Sequence, residues 1–550
     1  MSDDVRRLAD EYHDFSVVQM PTWAHLNGDY RFASTYEDVS RVSEDRAVGA
    51  LRDFAARAEA IPADGLDEQS AITRAMIADD ATALADLRGE RLEEISADPV
   101  FGEQVSVGIV APLLAMPDAD VATAMTGKYE GVAQQFRDRA ERHREGLAAG
   151  RAPAAFAVRG TVEQLDAWLA TPLDDDPMLR TGALPEGLDA DLFRAGLREV
   201  VEKEVRPAVE MYRDVLRDEV APHARPDDRV GLVHLAGGES SYAKALRYHT
   251  TTDLPAQEIH EIGLRQIAAL EDEYRALGPE TVGTDDVAAI FEALRSDPAL
   301  HHTDGDQVVA DSRAALAKAE AVMGDWFEVL PQAPCAVEAI TSGAKAFYFP
   351  PANDGSRGGT FFMNVAEPAG WGRFEVEAVS YHEGVPGHHL QLAIAAELTG
   401  LPEYRKLAMV TAHAEGWGLY TERLADEMGL YSTPLDRMGM LSADSMRACR
   451  LVVDTGVHAL GWSRQQAVDY MVANTPMSRE HVAAEVDRYI VTPGQAASYM
   501  IGRLEIQRMR REAEARQGDR FDVKAFHSAV LDSGALPLGL LDRVVLSRLS

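Results

Sequence analysis

The sequence contains very little cysteine, with only Cys335 and Cys449 in 550 residues. A disulfide framework needs several cysteines that can pair at characteristic spacings, so the class of small disulfide-stabilised scaffolds is excluded. Both cysteines lie in largely apolar stretches, which favours free thiols in the core over a metal or redox role. The two cysteines therefore carry no predicted chemistry.

The sequence is also poor in positive charge. Lys and Arg number 54 against 90 Asp and Glu, which gives a formal net charge of -36. Nucleic acids and anionic membranes both require a positively charged footprint on the protein that binds them. We therefore predict neither as a partner, and the charge balance by itself identifies no substrate.

Long apolar runs are missing as well. No run approaches the roughly 18 residues that a membrane span requires, and the charged N-terminus shows no apolar signal region. From this we expect a cytoplasmic protein. The length exceeds that of a single core, so we expect an N-terminal helical subdomain over 1–225 and a catalytic helical subdomain over 226–550.

Hydrophobic periodicity predicts helices along most of the chain, for example at 39–58, 68–87 and 122–148, and again from 372 to the end. Only 330–365 predicts a sheet, because the aromatic-rich runs 346–351 and 360–364 bracket a turn. The expected fold is mainly α, with many helices and a small hairpin or sheet. The edge strand of that sheet is either a docking strand for an extended peptide or a structural hairpin, and the sequence leaves both open.

The segment with the highest density of potential metal ligands is 381–391, which reads Tyr-His-Glu-Gly-Val-Pro-Gly-His-His-Leu-Gln. Polar groups are costly to bury unless they are paired or bind a ligand, and this segment is otherwise apolar. A catalytic Zn2+ needs three protein ligands and one open position. His382 is the candidate first ligand, and Glu383 beside it is the candidate general base.

The second ligand is either His388 or His389. On a regular helix His389, seven residues on, would lie almost under His382. Pro386 and Gly387 make a regular helix unfavourable here, and an expanded turn would bring His388 to the same face instead. Spacing alone leaves the choice open.

A third ligand is expected from the stretch 412–422. Glu415, Leu419 and Glu422 share one helix face at i, i+4 and i+7. Glu415 is the candidate ligand, and Glu422 is the candidate partner that orients a histidine. The two glycines that flank Trp417 predict a close approach to another helix.

Two further stretches supply candidates for substrate and transition-state contacts. Arg447, Arg450, Asp454 and His458 form a narrow charged stripe on an apolar helix, which indicates a buried ion network or the wall of an active site. His458 or Arg450 would stabilise an oxyanion or hold a substrate carboxylate. Tyr499, early in the last large helix, could donate its hydroxyl to the same oxyanion.

Ordered motifs in the second half resemble the bacterial domain-of-unknown-function family 885. They are the stretches 382–391, 415–420, 450–463 and 493–499, together with the segment from Pro350 through Asp354 and Arg357 to Asn364. The resemblance implies a mostly helical, gluzincin-like metallohydrolase. Gluzincins such as thermolysin, carboxypeptidase Taq and dipeptidyl peptidase III use His-Glu, a second His and a downstream Glu.

The resemblance also bears on the second ligand. Dipeptidyl peptidase III has a similarly expanded spacing that ends in Gly-His, and this favours His388, which follows Gly387. The implied Zn2+ ligands are thus His382, His388 and Glu415.

We therefore expect a zinc metallopeptidase that cleaves short peptides. Glu383, Tyr499 and His458 are its predicted catalytic residues, and Arg450 is its predicted substrate-binding residue. Two alternatives remain, a hydrolase of non-peptide amides at the same site and a peptide-binding protein with a degenerate site.

Overall fold

The computed structural model describes residues 1–341, 343–351 and 357–549. Within them the protein is mainly helical with one small sheet, which confirms the predicted fold class. None of the helices in these ranges is both long enough and apolar enough to cross a membrane.

The first half of the chain is helical, and short polar side chains fix the starts of several of its helices. Ser40 accepts a hydrogen bond from the backbone N–H of Ser43, and Asp67 does the same for Ser70, which satisfies donors that the first turn leaves unpaired. The helices are α1 (Asp3–Gln19), α2 (Pro21–Leu26), α3 (Arg41–Ala60), α4 (Glu68–Gly89), α5 (Glu103–Val110), α6 (Ala119–Ala148), α7 (Ala155–Ala170), α8 (Ala190–Val200), α9 (Arg206–Asp214), α10 (Gly238–Thr250), α11 (Ala256–Thr281), α12 (Val287–Ser296) and α13 (Gly305–Glu320).

The second half of the chain is helical after residue 374. The helices are α14 (Glu375–Glu383), α15 (His388–Glu397), α16 (Glu403–Leu407), α17 (Thr411–Glu427), α18 (Pro434–His458), α19 (Arg464–Ala473), α20 (Arg479–Val491), α21 (Ser498–Gln517), α22 (Val523–Leu531) and α23 (Leu538–Arg548).

The sheet lies inside the predicted 330–365 segment. It comprises β1 (Cys335–Ile340), β2 (Ala346–Phe349) and β3 (Gly359–Asn364) in the order β1-β3-β2. Strand β2 pairs with β3 in antiparallel fashion, as the hairpin prediction requires, and β1 pairs with β3 in parallel. Residues 352–356, which include most of the predicted turn and Asp354 of the family motif, lie outside the described residues.

Buried apolar side chains from both halves of the chain form one continuous cluster that extends from Leu8 to Leu549. Contacts also cross between the halves. The hydroxyl groups of Tyr12 and Tyr404 both donate to the Asp80 carboxylate. The division into subdomains at residue 225 stays a prediction.

Helices α17 and α21 approach each other closely at a pair of glycines. A Cβ atom on Gly416 would lie 2.5 Å from the backbone of Gly502, and one on Gly502 would lie 1.9 Å from the carbonyl oxygen of Ala412. Only glycine permits this backbone contact. The close approach predicted from the glycines beside Trp417 is therefore confirmed, and it brings the elements that carry Glu415 and Tyr499 together.

Candidate metal centre

The helix that carries His382 ends at Glu383, and the next helix begins at His388. The connection between them is held by backbone bonds from Gly384 N–H to the Ser380 carbonyl and from His389 N–H to the Gly384 carbonyl. The indole N–H of Trp417 donates to the Pro386 carbonyl oxygen at 3.0 Å, which ties the connection to α17. The predicted break at Pro386 and Gly387 is confirmed.

Gly387 makes this break possible because the chain passes very close to the end of α14. A Cβ atom at Gly387 would lie 1.9 Å from the His382 carbonyl oxygen and 2.4 Å from that of Tyr381. The tight return brings the imidazole of His388 next to that of His382, with the ring centroids 4.7 Å apart and the rings nearly perpendicular. Two histidines six residues apart thus face the same point.

Glu415 of α17 completes the group. Its Oε2 atom lies 3.5 Å from His382 Nε2 and 3.4 Å from His388 Nε2. The three donor atoms all lie within 4.8 Å of one another, and no other three His, Cys, Asp or Glu side chains of the described ranges do so. We call His382, His388 and Glu415 the donor triad.

Glu422, two turns after Glu415 on α17, orients His382. Its Oε1 atom lies 2.8 Å from His382 Nδ1, and its side chain is only 1% exposed. A carboxylate can only accept, so Nδ1 carries the proton and donates it, and this leaves the lone pair of Nε2 pointing into the triad. The role that the sequence predicted for Glu422 matches this contact.

Gly418 of α17 leaves space for the His382 ring because it has no side chain. A Cβ atom there would lie 2.7 Å from the imidazole Cε1 atom, so any larger residue would displace the ring. The imidazole is thus fixed on one side by a glycine and at Nδ1 by a carboxylate.

The protonation of the triad follows from this arrangement. Burial disfavours the charged imidazolium, but hydrogen bonds to Glu415 and Glu422 outweigh it and raise the pKa of His382 to about 9. Burial likewise opposes ionisation of Glu415, yet the hydrogen bonds from His382 and His388 hold the pKa of its carboxyl well below the usual range. Without a metal ion, a proton between His382 and Glu415 satisfies both groups.

The donor triad fits a Zn2+ ion. Tetrahedral Zn2+ with bonds of about 2.0–2.2 Å to nitrogen and oxygen places its ligand atoms roughly 3.4 Å apart. The separations from Glu415 Oε2 to the two Nε2 atoms, 3.4 and 3.5 Å, match that value. Two imidazoles and one carboxylate also form a donor set known for catalytic Zn2+, which leaves a fourth position for water.

His389 does not face the triad. Its Nδ1 atom accepts from the Tyr348 hydroxyl at 2.8 Å, and its Nε2 atom donates to the Ala333 carbonyl at 3.0 Å. Both nitrogens are used to hold the sheet and the loop before it against α15. Of the two histidines that spacing left open, the structure brings His388 to His382, and His389 serves packing.

Glu383, the predicted general base, is the last residue of α14. Its side chain is half-buried, and its charge contributes to the raised pKa of His382. The Glu383 charge is therefore close enough to the triad to act on His382.

Tyr499 lies beside His382, and Arg450 packs against Tyr499. The Tyr499 ring is nearly parallel to the His382 imidazole, with the centroids 6.5 Å apart. The Arg450 guanidinium carbon lies 4.3 Å from the Tyr499 ring centroid. Burial and the charge of Glu415 raise the pKa of Tyr499, so the phenol keeps its proton as a donor.

The structure does not bring His458 to the triad. It lies eight residues beyond Arg450 on α18, about 12 Å along the helix axis. Its Nδ1 atom accepts from the Leu232 backbone N–H at 3.2 Å, and its Nε2 atom donates to the Tyr489 carbonyl at 3.0 Å. With both ring nitrogens used by backbone groups, the predicted catalytic role of His458 is corrected to a structural one.

Sequence reasoning missed the residues of α20 that contact Arg450. The Glu485 carboxylate accepts from Arg450 Nη2 at 2.8 Å, and the Tyr489 hydroxyl accepts from Arg450 Nε at 2.9 Å. Arg488 of the same helix also donates to Glu485. Their spacing could have indicated this contact. Glu485, Arg488 and Tyr489 stand at i, i+3 and i+4 and therefore share one helix face.

The fold and the site together define a mainly helical protein with a His-His-Glu donor set held between helices α14, α15 and α17. The chain belongs to the family described as "Bacterial protein of unknown function (DUF885)", which matches residues 21–545. That match confirms the family resemblance.

Solved structures show the same fold. A crystal structure described as a "putative lipoprotein from Colwellia psychrerythraea" is similar with a TM-score of 0.91 and 24% sequence identity, and the match covers 99% of this chain and 98% of that one. A second, a "putative lipoprotein of unknown function from Shewanella oneidensis", has a TM-score of 0.74 and 19% identity over 98% and 99% of the two chains. No significant match was found among curated proteins.

Proposed function

We propose that the protein is a zinc-dependent hydrolase that cleaves short peptides. The observation that supports this most strongly is the convergence of His382 Nε2, His388 Nε2 and Glu415 Oε2 within 4.8 Å, with Glu422 fixing the tautomer of His382. The choice of peptides as substrates rests on the family resemblance and the gluzincin-like motif.

His382, His388 and Glu415 would hold the Zn2+ ion. When bound, Zn2+ supplies a Lewis acid that lowers the pKa of water towards neutrality. The protein's own contribution is to place the Nε2 atoms of both imidazoles beside the Glu415 carboxylate. Glu422 orients His382 by accepting a hydrogen bond from its Nδ1–H group.

Glu383 is the proposed general base. It follows His382 directly and is half-buried, so its carboxylate combines access to the site with a partly desolvated environment. It would accept a proton from the attacking water and return it to the leaving amine.

Tyr499 is the proposed donor to the oxyanion that develops on the substrate carbonyl. Its ring lies parallel to His382, and a raised pKa keeps its hydroxyl protonated. A neutral donor fixed in place stabilises negative charge without reorganisation at the moment of reaction.

The first test is metal analysis together with hydrolysis of a panel of short peptides and acylated amino acids. Wild type should purify with about one equivalent of Zn2+ or take it up, and Glu383→Gln should retain the metal while losing hydrolysis by about 10²- to 10⁴-fold, the usual contribution of a general base. Glu403→Gln is the matched control, because Glu403 forms only an exposed ion pair with Lys406.

Full activity in Glu383→Gln would show that Glu383 is not the general base. Hydrolysis of acylated amino acids without any peptide cleavage would shift the function to a non-peptide amidase. A wild-type protein that takes up no metal would leave the alternative of a peptide-binding protein.

A further inference from the structure

Three arginines lie around Tyr499. Arg447 and Arg450 come from α18, and their guanidinium carbons lie 5.9 and 4.3 Å from the Tyr499 ring centroid. Arg488 of α20 joins them by sharing the Glu485 carboxylate with Arg450. We call these three residues the arginine cluster.

The acidic partners of the arginine cluster do not balance its charge. Glu485 accepts from both Arg450 and Arg488, at 2.8 and 2.9 Å. Arg447 lies 3.5 Å from Glu422, but Glu422 already accepts from His382. Three guanidinium groups thus meet two carboxylates, and one of those is shared with a histidine. The cluster thus has a local excess of positive charge, although the chain as a whole has a net charge of -36.

The cluster also has donors without partners. Arg450 Nη1 and Arg447 Nε are buried and make no hydrogen bond. Only 7% of the Arg450 side chain is exposed. Native proteins satisfy nearly all buried donors, so an unpaired guanidinium N–H calls for an explanation. A planar guanidinium with free N–H groups is suited to binding a carboxylate.

We propose that the arginine cluster binds a free carboxylate of the substrate. On this basis the hydrolase acts on peptides or N-acyl amino acids that end in a free carboxylate, and it cleaves close to that end. The inference rests on the proposed function and adds to it a substrate class.

The spacing agrees with cleavage near the C-terminus. Tyr499 bridges the two sites, with its ring 6.5 Å from His382 and 4.3 Å from the Arg450 guanidinium. An extended chain covers about 3.3–3.6 Å per residue, so one to three residues span the distance from the triad to the cluster. In the reaction, water adds its oxygen to the carbonyl carbon, the C–N bond breaks, and the released amino acid or short peptide takes up the proton on its nitrogen.

Arg357, the arginine of the family motif that precedes β3, is bonded elsewhere. Its Nη1 and Nη2 atoms donate to the Gly358 and Pro350 carbonyls at 2.9 and 2.7 Å, and it stacks on Phe349. Its guanidinium is therefore used to fix the backbone around β2.

The test compares matched substrates that differ only at the C-terminus. For an N-acylated dipeptide, wild type should show a kcat/KM at least about tenfold higher for the free acid than for the C-terminal amide, as expected for a charge-assisted contact. Arg450→Gln and Arg447→Gln should reduce this ratio towards one, mainly through the acid. Arg437→Gln is the matched control, since Arg437 lies on the same helix but pairs with Asp426 at the surface.

A binding measurement separates this inference from the proposed function. Metal-free wild type is titrated by calorimetry with N-benzoylglycine and with N-benzoylglycinamide. Tighter binding of the acid that is lost in Arg447→Gln supports the cluster even if no hydrolysis is found. Equal binding of the two probes, or equal hydrolysis of acid and amide, overturns the carboxylate assignment while leaving metal-dependent hydrolysis intact. Thermal unfolding confirms that each variant is folded, and Arg447→Gln carries the test if Arg450→Gln does not fold.

Discussion

Two buried polar clusters of this protein have nearly the same composition and different properties. The donor triad with Tyr499 combines histidine, carboxylate and tyrosine. The second cluster, formed by Tyr242, Asp454 and His458, does the same near the C-terminal end of α18. We call it the α18 end cluster.

In the α18 end cluster, hydrogen-bond donors are paired with hydrogen-bond acceptors. The Tyr242 hydroxyl donates to Asp454 Oδ2 at 2.6 Å, and the backbone N–H of Gly494 donates to the same carboxylate. Both nitrogens of His458 are bonded to backbone groups. A network that is satisfied in this way rigidifies the packing and has no atom left for a ligand.

In the donor triad, the groups that face one another are all acceptors unless a proton lies between them. Glu422 accepts a hydrogen bond from His382 Nδ1–H, so a neutral His382 ring turns the lone pair of Nε2 towards the Glu415 carboxylate. Only a cation, either a proton or a metal ion, relieves that arrangement. The comparison shows that a buried histidine indicates a ligand site when its hydrogen bonds direct a lone pair towards another acceptor, and residue type alone does not.

The largest effect is expected from removing a triad histidine. His388→Ala should reduce bound Zn2+ from about one equivalent to near zero, because catalytic Zn2+ needs all three protein ligands. His389→Ala, one residue further on, should keep the metal, since that ring only bonds Tyr348 and Ala333. Metal content after dialysis, measured by elemental analysis, distinguishes them.

His458→Gln serves as the control from the α18 end cluster and should also keep the metal. Metal loss in His389→Ala with retention in His388→Ala would reverse the assignment of the second ligand.

A smaller effect is expected from the residue that orients His382. Glu422→Gln should weaken Zn2+ affinity by about 10- to 100-fold, because the amide no longer fixes the Nδ1–H tautomer as strongly. The affinity is measured by competition with a chelator. Glu427→Gln, on the same helix but in a surface pair with Arg510, should leave the affinity unchanged, and equal affinities for all three proteins would remove Glu422 from the site.

The smallest effect concerns the dependence of stability on pH. Burial lowers the pKa of His458 from 6.5 to about 4, so the folded protein favours the neutral ring. The stability that this provides is present above pH 6.5 and is lost as the pH falls from 6.5 towards 4. Between pH 7.5 and 5.5 the loss amounts to about 1 kcal/mol from this residue.

The measurement is urea unfolding of wild type and His458→Gln at both pH values. Wild type should lose about 1 kcal/mol more than the variant over this interval. Identical pH dependence in the two proteins would show that His458 is not held neutral in the α18 end cluster.

Local sequence patterns predicted much of the fold. Helices α3, α4 and α6 begin and end within three residues of the predicted ranges, because caps and apolar periodicity are encoded within a few residues. The β2–β3 hairpin and the break at Pro386 and Gly387 were visible for the same reason.

The site was predictable where chemistry and spacing combine, and less so where partners are distant in sequence. His382 and Glu415 followed from the motif, whereas the choice between His388 and His389 depended on a backbone path that only the contacts at Gly387 determine. His458 was misassigned because its partners, Leu232 and Tyr489, lie 226 and 31 residues away. Contacts of this kind leave no periodic pattern of residues in the sequence.

The glycine contact between α17 and α21 has a consequence for how this site can change over time. Gly416 follows Glu415 directly, and Gly502 lies three residues after Tyr499, so the two backbones touch where the carboxylate and the phenol depart from them. The spacing of the two backbones that carry these groups is set by contact of main chain against main chain. A substitution elsewhere in the core therefore leaves this backbone spacing in place, whereas any side chain at Gly416 or Gly502 would force the two helices apart.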